Sequence, residues 1–170
     1  MSLPARRAFL SLGSNLGDRA ASLRSALEAL AALPGTSVLA ASRVYETAPQ
    51  DVQDQPAFLN QVVCVETVLL PAELLAAAQA IELEHGRVRR ERFGARTLDI
   101  DILLVEGHRS ADAALTLPHP RLWRRAFVLV PLAELWGLAR GMPAADVPAL
   151  ARDLAAHQPV EVFGEAEAEE

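Results

Sequence analysis

From residue 98 the chain reads Leu, Asp, Ile, Asp, Ile and then Leu-Leu-Val, within the stretch RTLDIDILLVEG. Alternation with a period of two marks a strand with one buried face. It puts Asp99 and Asp101 on the same face, roughly 6.5 Å apart, and predicts Leu98, Ile100, Ile102 and Leu104 on the other. Two like charges beside an apolar sheet repel each other and resist desolvation. Such a strand therefore demands a cationic partner opposite the carboxylates, or a proton held on one of them.

The segments around it suggest how the strand is housed. RRAFLSLG reads as a first strand stopped by Gly13, and Asp18 caps a helix through about Leu33 in which Leu23, Leu27 and Leu30 recur at helical spacing. TSVLAASRVYET reads as a strand broken at Pro49, and AFLNQVVCVETVLL as a long second one. Pro71 opens the helix PAELLAAAQAIELEHG, which Gly86 closes. The order β-α-β-β-α-β predicts an α+β fold of the ferredoxin-like kind, an antiparallel sheet with two helices over one face. Beyond it lies a C-terminal extension. EGHRSADAALTLPHP should hold a small hairpin, RAFVLVPLAELWG fits strand or helix, and PAADVPALARDLAAH a short amphipathic helix.

With 170 residues, 51% of them hydrophobic, the chain suits one well-buried domain. Residues 1–160 are expected to form it, and residues 161–170, ending in GEAEAEE, an acidic disordered tail. A net charge of −6 argues against a general nucleic-acid binder. No window approaches a membrane span, and the N-terminus lacks the apolar run of a secretory signal, so a cytoplasmic location is expected. Cys64 stands alone and reads as a small buried residue, and no CxxC or HExxH zinc pattern occurs. All 16 basic residues are arginine, which excludes a Walker A loop and makes every basic phosphate contact a guanidinium fork.

Five of these arginines (Arg87, Arg89, Arg90, Arg92 and Arg96) crowd into GRVRRERFGARTLD, between the second helix and the aspartate strand. A charged loop of this kind is ordinarily just solvated. Here its positive charge exceeds what two carboxylates can balance, and a polyanion with a metal would complete the account. Mg²⁺ takes carboxylate and phosphate oxygens, while arginine forks take the remaining phosphate oxygens in pairs. A paired-aspartate motif facing a phosphate chain suits phosphoryl transfer, where catalysis is mostly positioning and charge neutralisation.

A longer pattern is more specific: LGSNLGDR at 12–19, YETAP at 45–49, DQPAFLNQVV at 54–63, IELEHGRVRRERFGARTLDIDILL, and LPHPRLWRRAFVLVPLAEL at 117–135. In this order the motifs resemble the 6-hydroxymethyl-7,8-dihydropterin pyrophosphokinases, over about residues 6–136. The resemblance implies an enzyme that passes the β,γ-diphosphoryl group of ATP to the hydroxymethyl oxygen of the dihydropterin and releases AMP. It implies that Asp99 and Asp101 bind two Mg²⁺ ions, and that Arg87, Arg89, Arg92 and Arg96 with Phe93 belong to a loop closing over ATP. Arg89 and Arg92 are implied in catalysis beside the aspartates. Gln79, Glu82, Ile102, His119 and Arg125 fall on nucleotide-contacting positions. Thr47, Ala48, Phe58, Asn60 and Phe127 fall on the pterin side, with Phe58 and Phe127 stacking on the ring and Asn60 reading its edge. A small-molecule enzyme acting as a monomer is the corresponding expectation. The sequence departs from some members at Ala48, Phe93, Ala95 and Pro120.

Two other readings of the same residues remain open at this point. A palm-type nucleotidyltransferase also sets paired aspartates on a ferredoxin-like sheet but releases pyrophosphate. A non-catalytic binding module would keep arginines and aspartates paired and show no metal dependence.

Overall fold

The computed structural model describes residues 4–48, 56–85 and 97–164. Strand β1 (Arg6–Ser14) leads to helix α1 (Arg19–Ala31), then β2 (Thr36–Ala41), β3 (Tyr45–Thr47), β4 (Phe58–Thr67), helix α2 (Pro71–Glu84) and β5 (Asp99–Val105). A hairpin of β6 (Ser110–Asp112) and β7 (Leu115–Leu117) follows, then α3 (Ala126–Leu135), α4 (Val147–Ala155) and the two-residue β8 (Glu161–Val162). The main sheet runs β5-β1-β4-β3-β8, with β2 also paired to β4, and its pairings are antiparallel. This is the expected β-α-β-β-α-β core, with the single segment 36–47 divided in two at Ser42–Val44. Ser42 makes the division: its N–H donates to the Val62 carbonyl, while its Oγ accepts from the Val62 N–H at 3.0 Å.

Local chemistry accounts for the boundaries. The Asp18 carboxylate accepts from the Ala21 N–H at 3.0 Å and caps α1. Pro71 occupies the first turn of α2, where its missing N–H costs nothing, and Glu73 reaches back to the Leu70 N–H at 2.8 Å. At the other end His85 bonds the Ile81 carbonyl and Ser25 Oγ, tying α2 to α1. Gly86, the expected stop, lies outside the described residues. Gly13 does not stop β1, which continues through Ser14; the turn is made at residues 15–18, with Gly17 at φ 64°.

The sheet has two covered faces. Leu10, Leu12, Leu59, Val63, Leu98, Ile100 and Ile102 pack under α1 and α2 with Leu23, Leu30, Leu74 and Ile81. Phe9, Val62, Cys64, Leu103 and Leu104 face the other way and pack under α3 and α4 with Leu129, Leu132 and Val147. Two helices over one face are thus joined by two over the opposite one, and RAFVLVPLAELWG resolves as helix. Leu104 corrects the alternation expected from the sequence. The β1–β5 register shifts between Phe9 and Leu10, which face Leu104 and Ile102 respectively. The extra residue of this bulge turns Leu104 onto the carboxylate side of β5. The expected boundary at residue 160 falls just before β8, so Glu161 and Val162 belong to the sheet. Residues 165–170 of the acidic tail lie outside the described residues.

Candidate active site

Strand pairing lays out the site row by row. On the α3 side, Phe9 is flanked by Cys64 and Leu104, Ser11 by Val62 and Asp101, and Gly13 by Asn60 and Asp99. Asn60 is in turn opposite Tyr45, and Phe58 opposite Thr47. Residues directly opposite share a face, so this one face changes from apolar to polar along the strands. The apolar rows lie under α3 and α4. The polar rows carry both half-buried aspartates, Asn60, Thr47 and Phe58.

Gly13 lies at the centre of the polar part. A Cβ there would come within 3.2 Å of Asn60 Oδ1. Its lack of a side chain leaves the sheet floor low between Asn60 and Asp99, where a flat ligand can approach the backbone. Asn60 is buried, and its Nδ2 donates to Thr47 Oγ1 at 3.0 Å, which fixes the amide's orientation. Tyr45 donates its hydroxyl to the Glu134 carboxylate on α3, and Arg43 meets the same carboxylate through its backbone N–H and its Nε. Desolvation, reinforced by Glu134, pushes the Tyr45 phenol up to about 12. The phenol stays protonated and holds β3 to α3.

His119, at the end of the hairpin excursion, is brought to β5 by its N–H, which donates to the Leu103 carbonyl at 2.9 Å. Its Nδ1 accepts from the Arg121 N–H at 3.2 Å. Burial lowers its pKa, and Arg125 and Arg121 lower it further, against the opposing carboxylate of Asp99. The lowering favours the neutral ring, and the Arg121 N–H on Nδ1 puts that ring's proton on Nε2, a donor toward an anion. Arg125 stands just before α3, its guanidinium over the Phe127 ring at 5.3 Å.

Glu82 reaches the site from behind. Buried on α2, its Oε2 accepts from the Ile100 N–H at 2.8 Å, between the two aspartates. Gln79 is exposed one turn earlier on α2, and Ala48 is exposed at the end of β3. Ile102 is not brought to the carboxylate face: its side chain is in the α1/α2 core, 3% exposed. Arg87, Arg89, Arg92, Phe93 and Arg96 lie outside the described residues. Among the described residues no group of three or more His, Cys, Asp or Glu could enclose a metal. Asp99 and Asp101 are two half-buried hard oxygen donors on one face, a donor type that fits Mg²⁺ when phosphate and water complete its octahedron.

Ser11, Gly13 and Asn15 are not legible as site residues from the sequence alone. LGSNLGDR reads as a turn and a cap, and Asp18 does cap. Its first glycine, however, is sheet floor, and Asn15, 1% exposed, donates from Nδ2 to the Pro56 carbonyl at 3.1 Å beside the entry to β4. The one available signal was a glycine inside an otherwise apolar strand.

Comparison with known proteins agrees with this geometry. Residues 9–137 match the family described as 7,8-dihydro-6-hydroxymethylpterin-pyrophosphokinase (HPPK). The 2-amino-4-hydroxy-6-hydroxymethyldihydropteridine pyrophosphokinase of Methylorubrum extorquens is 51% identical over 129 residues, covering 76% of this chain and 82% of that one. The protein of the same name from Bacillus subtilis is 46% identical over 128 residues, covering 75% and 77%. Among solved structures, Plasmodium falciparum HPPK-DHPS with SDX-DHP superposes with a TM-score of 0.65 at 16% identity over 89% of this chain, a likeness of fold alone. The chain spans 44% of the length of that larger protein. With three quarters of its length matched, sheet face and aspartate strand included, the chain belongs to the 7,8-dihydro-6-hydroxymethylpterin-pyrophosphokinase family.

Proposed function

We propose that the polar half of the α3-side sheet face is where this chain carries out its family's reaction. That reaction transfers the diphosphoryl group of ATP to the hydroxymethyl group of 6-hydroxymethyl-7,8-dihydropterin, in folate synthesis. The hydroxymethyl oxygen forms a bond to Pβ, the bond from Pβ to the α,β-bridging oxygen breaks, the hydroxyl proton is lost and AMP leaves. The observation that carries the assignment is the row Asn60–Gly13–Asp99, which puts an amide, a bare floor and a carboxylate side by side on one face.

In this reading Asp99 and Asp101 hold two Mg²⁺ ions, which when bound would neutralise triphosphate charge. Asn60, oriented by Thr47, reads the edge of the pterin, Phe58 and Phe127 stack on its faces, and Ala48 lies at the rim. The neutral His119 donates from Nε2 and Arg125 offers its guanidinium to phosphate oxygens. Glu82 and Gln79 bring α2 to the nucleotide side at the β5 edge, where Ile102 would take part through its backbone. Arg87, Arg89, Arg92, Phe93 and Arg96 would close over ATP from the connection between α2 and β5. Residues 1–160, with β8 added, would act as one domain, as a cytoplasmic monomer without nucleic-acid partners. Among the described residues no helix is long and apolar enough to cross a membrane, and the exposed large apolar side chains Leu16, Leu39, Leu70, Leu83, Leu150 and Phe163 are spread over different segments.

The test is to identify the nucleotide product formed from Mg-ATP and the pterin. AMP together with a pterin diphosphate is expected. Pyrophosphate as the leaving product would support nucleotidyl transfer instead, and binding without turnover would support a non-catalytic module.

A further inference from the structure

After α4 the chain runs from the start of α3, which carries Phe127, to β3, which carries Thr47, and it is bonded to both. Gln158 makes the first anchor. Its Oε1 accepts from the Ala126 N–H at 2.9 Å and its Nε2 donates to the Arg124 carbonyl at 3.0 Å. The two bonds straddle Arg125, and Phe127 is the next residue along. The first N–H groups of a helix have no partner within it, so Gln158 supplies α3 with a cap that its own N-cap, Arg125, does not provide.

The second anchor is β8. Val162 pairs with Tyr45 and Glu161 with Glu46, and the Phe163 N–H donates to the Val44 carbonyl at 2.8 Å. Arg19 secures this end from the rear of the sheet. Its Nη1 bonds Glu46 Oε2 at 2.7 Å and the Ala57 carbonyl at 2.8 Å, while its guanidinium lies 5.6 Å from the centroid of the Phe163 ring.

Both anchored walls need support. The β3–β4 ladder is only three pairs long and ends at Thr47 and Phe58, and so short a pairing is marginal alone. Tyr45 and Arg43 already tie β3 to Glu134, near the C-terminal end of α3. The start of α3, where Phe127 stands, is held toward β3 by the returning chain. That strap is C-terminal to the segment that matches the family.

We propose that Gln158 is a positioning residue for the pterin pocket: through the strap 158–163 it sets the spacing between the start of α3 and β3, and hence between Phe127 and the Thr47–Asn60 wall. It touches no substrate, and the proposal rests on the pocket assignment made above.

The experiment uses the full chain with Gln158→Leu, which keeps the volume and loses both bonds. Gln158→Glu keeps only the acceptor toward Ala126, Phe163→Ala loosens the other anchor, and Asn60→Ala tests the pocket itself. Calorimetric titration with 6-hydroxymethyl-7,8-dihydropterin and, separately, with Mg-ATP should show pterin affinity about five-fold or more weaker in Gln158→Leu. Gln158→Glu should fall between it and the parent, with a smaller loss of Mg-ATP affinity, felt through Arg125 alone, and kcat retained at saturating pterin. A residue that only stabilises the fold would lower the melting temperature without this selective, graded loss. Unchanged pterin affinity in both Gln158 variants, with a clear loss in Asn60→Ala, overturns the strap and leaves the pocket standing. Unchanged affinity in Asn60→Ala overturns pocket and strap together, and a loss of Mg-ATP affinity in the Gln158 variants as large as their loss of pterin affinity also overturns the strap. If Gln158→Leu does not fold, Gln158→Glu and Phe163→Ala decide the matter by the same criteria.

Discussion

Two halves of a single sheet face do different work in this molecule. Where Phe9, Val62, Cys64 and Leu104 face α3 and α4, the face is closed by Leu129, Leu132, Leu135 and Val147. A few ångströms along the same strands, Ser11, Gly13, Asn60, Asp99 and Asp101 replace them. The strands run on across the boundary, with a bulge in β5 between the Phe9 and Ser11 rows, and the change of side chains along them separates the closed half from the polar one. Each buried leucine contributes about 1.5–3 kcal/mol by leaving water. Each aspartate resists burial, and the proposed metal role would explain its retention there.

The sharpest way to break the comparison is at the aspartates. Asp99→Ala or Asp101→Ala should reduce turnover by about a thousand-fold or more, since metal ligands and transition-state charge compensation go together. Stopped assays of AMP release check this, and near-normal rates in either variant would remove the metal assignment. In the closed half the effect should be the reverse. Leu129→Ala should cost about 2–5 kcal/mol of unfolding free energy with kcat of the folded fraction kept, as urea titration and active-site counting can measure. A large kcat loss there would mean the two halves are coupled.

A smaller effect is expected at Asn60, where on the proposed assignment truncation to Ala would leave the pterin edge unpaired. That should cost on the order of 1–3 kcal/mol, roughly ten-fold in pterin affinity, with Mg-ATP binding unchanged. His119 sharpens the contrast through pH. Its folded pKa lies below its ordinary value, so as pH falls through the ordinary histidine range the unfolded chain takes up the proton first. Stability should then decline toward acid, and less steeply in His119→Asn. Equal slopes in parent and variant would contradict a half-buried neutral ring. At Cys64, burial in the closed half pushes the thiol up to about 11. The native protein should resist alkylation at neutral pH and react after unfolding.

Much of this division is written in local sequence. The aspartate alternation, the Asp18 cap, the Pro71 start and the place of Asn60 and Phe58 on one face follow from period and capping rules. Leu104 escaped because a bulge is a property of two paired strands, and neither strand announces it alone. AFVLVPLAEL has buried residues at so many positions that its period cannot separate helix from strand; only packing against β4 decides it. Gln158 and β8 carry no signal because their partners, Ala126 and Tyr45, are distant in sequence. Their roles are created by where the chain returns.

The central claim is that the polar half is maintained for binding and adds little to the fold. Urea unfolding of the Asp99→Ala/Asp101→Ala double variant, followed alongside AMP release, tests it most directly. The account predicts an inactive protein whose unfolding free energy is within about 1 kcal/mol of the parent or higher, because removing two like charges that share one sheet face relieves their repulsion. A loss of more than about 3 kcal/mol, the scale of a broken buried ion pair, would contradict it and make the aspartates structural.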